Sequence, residues 1–313
     1  MLAATRLALC ALLVAGSTAH AAELSTLRIS VIPTSVLAPL YAAMEKGYFK
    51  DEGLKLELAP TAGGAIGIPG LVGGSYDIAF SNNVSALSAV AQGIDIQLLA
   101  PFPQGSADET AVIARKGEGI KTGRDLNGKI VASNTNKNVI WLYLREWIRK
   151  TGGDPSKITF REVAFPQMND ALKQKQIDAA FQINVFVIAA SKDPALKIVS
   201  FPYREVQPEV QPSQYVATRK FIQANPDKIV RFLRALDRGN KWFDSHIGTD
   251  ELYSLVAGFT KLPVAVVRQL KFQPVAKKVE LVELQKTMAL MRQEGLLKAD
   301  VDAKGMIYSP GTP

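Results

Sequence analysis

The 313-residue chain is 47% hydrophobic and 21% charged, which excludes a disordered chain and leaves length for two domains with their own cores. Thirty-seven Lys and Arg against 29 Asp and Glu give a formal charge of +8, but the basic residues are dispersed and no basic run alternates with aromatics, so no nucleic-acid partner is indicated. The one cysteine, Cys10, excludes a disulfide framework and a cysteine metal site.

The N-terminus reads as a secretory signal. Arg6 supplies the positive charge, Leu7 to Gly16 the apolar run, and Ala19-His20-Ala21 the small-x-small cleavage site. Cys10 sits inside the apolar run, so it is not placed as a lipid-attachment residue. Cleavage after Ala21 leaves residues 22–313, takes the formal charge from +8 to +7, and predicts an exported, periplasmic protein. No later run is long and apolar enough to span a bilayer, so direct membrane insertion is not expected.

The chain then reads as α/β. A strand over Leu27 to Ile32 is followed by the loop Pro33-Thr34-Ser35 and a helix in which Leu37, Leu40, Tyr41, Met44 and Tyr48 share one face. Gly47 suits a left-handed cap, and Gly53 turns the chain into an alternating strand, Leu54 to Leu58. In an open α/β sheet the loop at the carboxyl end of the first strand is where ligands bind, which makes Thr34, Ser35 and, behind them, Tyr41 candidates. Gly63 and Gly64 precede a short helix that Pro69 keeps from being long. Two readings stand for this pair, a helix start with free N–H groups facing a cleft, or glycines serving tight turns.

A buried strand over Asp77 to Phe80 ends in Ser81, Asn82 and Asn83, which suit capping of the helix Val84 to Gln92 and contact with a ligand. A strand over Ile94 to Ala100 follows, then a loop and a first chain crossing near 102–110. The second half repeats the pattern, with strands at 110–115, 129–133, 158–163, 177–182 and 195–200 and a long helix from Val139 to Lys150. Before that helix lie Ser133, Asn134, Thr135, Asn136 and Lys137, an anion cradle of amides, hydroxyls, a positive dipole end and one lysine. The competing reading is an N-cap by Asn136 or Asn138 beside a solvated lysine. Phe165 opens the next helix, and Asn184 follows the strand at 177–182.

The chain returns through a stretch in which Pro202, Pro208 and Pro212 argue against helix, and Tyr215 to Thr218 is the returning strand. The remainder is helical, ending in a tail after Gly305 that is expected to be loose. Arg231, Arg234, Arg238 and Lys241 fall at helical spacing as a solvated face. Little marks catalysis. His246 is the single histidine past the signal, there is no G-x-S-x-G elbow, and no pair of carboxylates stands out. Gly123-x4-Gly128-Lys129 matches part of a P-loop, but Ile130 stands where Ser or Thr is needed and a strand follows where a helix should begin.

The phrases EKGYFKDEGLKLEL (45–58), GGSYDIAFS (73–81), ALSAVAQGIDIQLLA (86–100), IKTGRDLNGKIVAS (120–133), ALKQKQIDAAF (171–181) and YVATRKFIQANPDKIVRFLRALDRGNKWF (215–243) together resemble the periplasmic solute-binding proteins of ABC importers for nitrate, sulfonates, taurine and thiamine-pyrimidine precursors. The resemblance implies a two-lobed clamshell of the type II periplasmic binding fold. Its first lobe is discontinuous, 22–106 and 213–313, its second is 107–212, and a ligand lies between them. It also implies a monomer with no cofactor and no catalysis, which delivers a small solute to an inner-membrane permease. The family's enzyme branch, the yeast-type thiamine-pyrimidine synthases, relies on an active-site histidine and a cysteine-rich stretch that this chain does not match. A sulfonate or carboxylate is the expected ligand, with a neutral pyrimidine or other aromatic solute as the alternative. Members often carry an acidic residue and proline after the strand matching IDAAFQ. Here Gln182-Ile183-Asn184-Val185 stands there, which suggests a ligand without a positive charge at that end. Phe102, Phe165 and Phe186 are candidates for packing on its carbon skeleton.

Overall fold

The computed structural model describes residues 23–61, 63–103 and 109–310; the expected signal peptide and most of the first chain crossing lie outside them. In chain order the first part holds β1 (Ser25–Val31), α1 (Ala38–Glu45), α2 (Tyr48–Asp51), β2 (Leu54–Pro60), α3 (Gly64–Val72), β3 (Ile78–Asn82), α4 (Asn83–Ala91) and β4 (Ile96–Pro101). The middle holds β5 (Thr110–Arg115), β6 (Ile130–Ser133), α5 (Val139–Lys150), β7 (Thr159–Glu162), α6 (Phe165–Lys173), β8 (Ala179–Ile183), α7 (Asn184–Lys192) and β9 (Leu196–Ser200). The last part holds α8 (Pro202–Val206), β10 (Ser213–Thr218), α9 (Arg219–Ala224), α10 (Pro226–His246), α11 (Asp250–Thr260), α12 (Val264–Val267) and α13 (Leu281–Gln293).

Two five-stranded sheets organise these elements, one in the order β2-β1-β3-β10-β4 and the other β7-β6-β8-β5-β9. They have the same plan. Each is parallel except for the strand that enters after a chain crossing, β10 in the first sheet and β5 in the second. An antiparallel strand begins where its neighbours end. Ser213 therefore pairs with Asn82 at the end of β3, and Thr110 with Ile183 at the end of β8. Both crossings deliver their first strand residues to the edge where the parallel strands stop.

The sheets are buried by apolar faces on either side. In β1, Leu27, Ile29 and Val31 are buried, and in α1 the fully buried stripe is Ala38, Leu40, Ala42 and Ala43, with Tyr41 and Met44 only half-buried. The alanines allow α10 to cross closely: a Cβ at Gly239 would lie 2.4 Å from Pro39 O and 2.8 Å from Ala43 Cβ. Gly47, at φ 76°, takes the left-handed turn between α1 and α2. The rejected P-loop match is a 3₁₀ turn over Gly123–Leu126 leading into β6, fastened by a Thr122–Asp125 capping box.

Two expectations need correction, those on Pro202 and on the tail. Pro202 starts α8 rather than preventing it, because a proline at the first helical position surrenders only an N–H that has no partner there. The helix after Gly63 is short as expected, nine residues that include Pro69 and end at Val72. The tail is pinned as far as Tyr308, whose N–H donates to Leu98 O at 2.9 Å, while Met306 O accepts from Leu98 N–H at 2.7 Å. The basic face of α10 is solvated as expected, and its exposed arginines also make surface contacts, Arg234 with the Glu52 carboxylate and Arg238 with Asp51 while lying over the Tyr48 ring; half-buried Arg231 donates to Glu52 O.

The second crossing is held by buried amides and hydroxyls. Tyr143 on α5 hydrogen-bonds Gln207 at 2.7 Å and Thr287 of α13 at 2.9 Å; Gln211 O accepts from Asn83 Nδ2 at 3.3 Å and from Gln214 Nε2 at 2.8 Å. At its far end α13 is followed by Glu294, which takes Arg145 and Arg149 of α5. The last long helix thus straps the crossing to both sheets' flanking helices.

A cleft lined by helix starts

A cleft of about 510 Å³ opens where the strands of the two sheets end. Its walls include Ile32 and Thr34 after β1, Asn82 at the end of β3, Asn134 after β6, Ile183 at the end of β8, and Thr110 and Ser213 at the starts of the two antiparallel strands. Five helices of nine or more residues begin on it: α3 at Gly64, α4 capped by Asn82, α5 capped by Asn138, α6 at Phe165 and α7 at Asn184. First-turn N–H groups have no partner within their own helix and carry the positive end of the helix dipole. Side chains have taken some of them: Asn82 Oδ1 accepts from Ser85 N–H at 2.9 Å, and Asn138 Oδ1 from Trp141 N–H at 3.0 Å. Much of the remaining wall is apolar and aromatic, with Val36, Phe80, Phe102, Val139, Ile140, Phe165 and Tyr203. Phe102 is held in place by stacking on Tyr215, with ring centroids 3.8 Å apart.

The structure brings some expected residues to the cleft and leaves others elsewhere. Thr34, Gly64, Asn82, Asn134, Phe102, Phe165 and Asn184 line it. Gly63 faces the other lobe closely, since a Cβ there would lie 3.4 Å from Asn134 Nδ2 and 3.7 Å from Thr135 Oγ1. Ser35 and Ser81 are buried, and the Ser81 hydroxyl donates to Asn82 O. Asn83 is buried behind the cleft, giving its N–H to Pro212 O at 3.0 Å and its side chain to the second crossing. Tyr41 faces outward instead, stacked on Phe259 at 4.1 Å. Asn136 and Lys137 are exposed and outside the lining, and the Asn136 N–H is already bonded to Glu162 at 2.7 Å. Ser133, buried, donates to Thr135 O at 3.3 Å. The loop before α5 therefore closes on itself, and Asn138, braced by Asn134 Oδ1 at 2.9 Å, is the N-cap. Phe186 packs against the core, and His246 stacks on Trp242 at 4.0 Å on the outer surface.

Sequence reasoning missed Glu109. It immediately precedes β5, is 7% exposed, and lines the cleft. One carboxylate oxygen accepts from Asn184 Nδ2 at 2.7 Å and the other from the Lys271 backbone N–H at 2.6 Å. Burial pushes its pKa up to about 7, against those two donors and the Lys271 charge, which pull it down. An acid thus stands beside Asn184 after all. The suggestion drawn from Gln182-Ile183-Asn184-Val185, of a ligand without positive charge at that end, loses its basis, because β5 supplies the carboxyl that the β8–α7 turn lacks. The signal that could have found it is topological: the residue before an antiparallel crossover strand lies at the ligand edge.

Two α/β lobes with a cleft at the strand ends are the architecture of the periplasmic binding protein fold. An aliphatic sulphonate-binding protein from Escherichia coli superposes over 91% of this chain and 97% of its own, with a TM-score of 0.75 at 19% identity. An alkanesulfonate-binding protein from Xanthomonas axonopodis, bound to MOPS, does so over 92% and 99%, with a TM-score of 0.75 at 18% identity. In sequence, a 4-amino-5-hydroxymethyl-2-methylpyrimidine phosphate synthase from Aspergillus parasiticus is 26% identical over 66% of this chain and 62% of its own. The model of the NMT1/THI5-like family matches residues 34–246, more than half of the chain. The chain belongs to that family.

Proposed function

We propose that this protein is the periplasmic solute receptor of an ABC importer, binding a small organic acid, a sulfonate or carboxylate, between its lobes and handing it to the permease as a monomer. The observation that carries the reading is the convergence of five helix N-termini on one cleft, which offers an acidic head N–H groups and dipoles in place of a cation. Asn134, Thr34 and Ser213 add polar side chains, and the aromatic wall suits the carbon skeleton. The N-terminal signal reading and the sulfonate binders among its structural likenesses support the same assignment.

A thermal-shift screen of the protein lacking its signal peptide, against sulfonates, carboxylates, nitrate and pyrimidines, tests it. A ligand at about a hundred times its Kd adds roughly 2.7 kcal/mol, a shift of several degrees. Selective shifts from acids support the reading. A second reading, a neutral aromatic solute, is favoured by Phe80, Phe102, Phe165 and Tyr203 and by the pyrimidine-phosphate synthase relative. A shift from pyrimidines with silence from every acid would replace the first reading by the second.

A further inference from the structure

The segment between α12 and α13 ties the two sheets together along one wall of the cleft. Its Leu270 and Val275 share a buried apolar cluster with Ala38 of α1 and Phe243 of α10, and the Val275 N–H donates to Asp244 of α10 at 2.9 Å. It is thereby fastened to helices of the first sheet. Val185 and Ile188 of α7, a helix of the second sheet, pack against the same cluster from the other side. Gln273 and Pro274 of this segment line the cleft. Glu109, at the entry to β5 of the second sheet, adds a charged tie. One carboxylate oxygen takes the Lys271 N–H at 2.6 Å, while the other holds Asn184 at the start of α7 at 2.7 Å. A rotation that parts α7 from this segment has to break the bond to Lys271 and admit water to a side chain that is 7% exposed.

We propose that Glu109 is a proton-operated latch between the second sheet and the C-terminal segment, keeping the cleft closed when protonated and letting α7 part from that segment when ionised. The latch regulates the site proposed above, and its use rests on the receptor reading. In the closed arrangement burial outweighs the Lys271 N–H, the Asn184 amide and the Lys271 charge, so the carboxyl titrates at about 7 rather than 4.5. Opening returns it to water and toward its ordinary value. Between those values the closed form holds a proton that the open form has lost. Closure is therefore favoured most below about pH 4.5, and the advantage is lost as pH rises through about 7. An ionised Glu109 stays closed only as a buried charge, with Lys271 as the cation acting on it. The other charged or titratable groups near it leave this balance to Glu109. The cleft lining adds Glu209 and Tyr203, α7 presents the uncharged Asn184, Asp244 of α10 is taken by the Val275 N–H, and Arg268 beyond α12 is paired with Asp250. A receptor built this way grips its solute in acid surroundings and releases it more readily in alkaline ones.

The test needs no solute. Residues 22–313 contain no cysteine, so Lys55→Cys on β2 and Lys157→Cys just before β7, both exposed and outside the cleft lining, place one label on the far edge of each sheet. Energy transfer between pH-insensitive dyes at these sites is read at pH 5 and pH 8. The ratio of short-distance to long-distance molecules is expected to fall by roughly fifty- to a hundredfold from the lower pH to the higher. Glu109→Gln, neutral at both values and still an acceptor for the Lys271 N–H, should keep the pH 5 distribution at pH 8. Identical wild-type distributions at the two pH values, or opening on acidification, would overturn the latch. That comparison involves no change at Glu109, so it decides the matter even where Glu109→Gln fails to fold. A Glu109→Gln protein that opens as the wild type does would assign the response to another group and overturn the latch equally. The receptor reading stands or falls separately. A working latch in a protein silent in the solute screen leaves this inference standing and removes that reading, and acid binding without a pH-driven change of distance does the reverse.

Discussion

Glu109 also has to leave a mark on stability in the absence of any solute. Its carboxyl is raised from 4.5 to about 7 in the folded protein, chiefly by burial. The folded state therefore holds a proton that the unfolded state has lost between those two values. Stability is then highest below pH about 4.5 as far as this group is concerned, falls as pH rises through the window, and levels off above about 7. At about 1.36 kcal/mol per unit, the loss is of the order of 3 kcal/mol. Glu109→Gln stays neutral throughout, keeps an acceptor for the Lys271 N–H, and needs only a turn of the Asn184 amide to satisfy its own NH₂. Denaturant unfolding of unliganded wild type and variant at pH 5 and pH 8 isolates the effect, since every other titrating group is common to both. The wild type should lose roughly 3 kcal/mol more than Glu109→Gln across that interval. Parallel curves would show that Glu109 titrates as an ordinary surface acid and would refute the argument.

Three further outcomes follow from packing and hydrogen bonds. Gly239→Ala places a methyl 2.4 Å from Pro39 O, so the α1–α10 crossing must open, at a cost of about 1–3 kcal/mol measurable by thermal unfolding. Asn138→Ala removes the α5 cap and the brace on Asn134, and should cost about 1 kcal/mol of stability while weakening solute binding; Asn138→Asp restores the cap but sets a negative charge at the cleft, so it should recover stability without recovering affinity for an acid. Tyr143→Phe leaves Gln207 Oε1 and Thr287 without the phenol that joins them, and should destabilise by about 1–3 kcal/mol in denaturant titrations, with binding at the cleft affected far less.

What could be read from the sequence was whatever depends on local pattern. The left-handed turn at Gly47, the capping of α4 at Asn82 and the strand-to-helix alternation all follow from residues within a few positions of one another. Thr34, Asn134 and Asn184 could be placed because a parallel strand's end is visible in the same segment. The errors come from contacts that span the chain. Lys137 looked like part of a cradle until Glu162, on another strand, took the amide of Asn136 and turned the loop away. Tyr41 shares a helical face with Leu40, but Phe259 of α11 claims it on the outside. A tail without periodicity is still ordered when Leu98 offers it both a donor and an acceptor.

The two antiparallel strands show why the most consequential cleft residue was the hardest to read. A parallel strand carries chemistry on the loop that follows it, and a rule about loops after strands finds that chemistry. A crossover strand running the other way carries it on the residue that comes before. β10 puts Pro212 and Ser213 at the cleft by this route, and β5 puts Glu109 and Thr110 there. The same two segments adjoin the chain's crossings between lobes, so any rotation of one sheet against the other acts first on residues that line the cleft. A buried carboxyl fixed to Asn184 in one lobe and to the Lys271 amide of the C-terminal segment sits across that motion. Its occupancy by a proton then bears on any such motion, because the proton removes a charge that closing walls would otherwise have to bury.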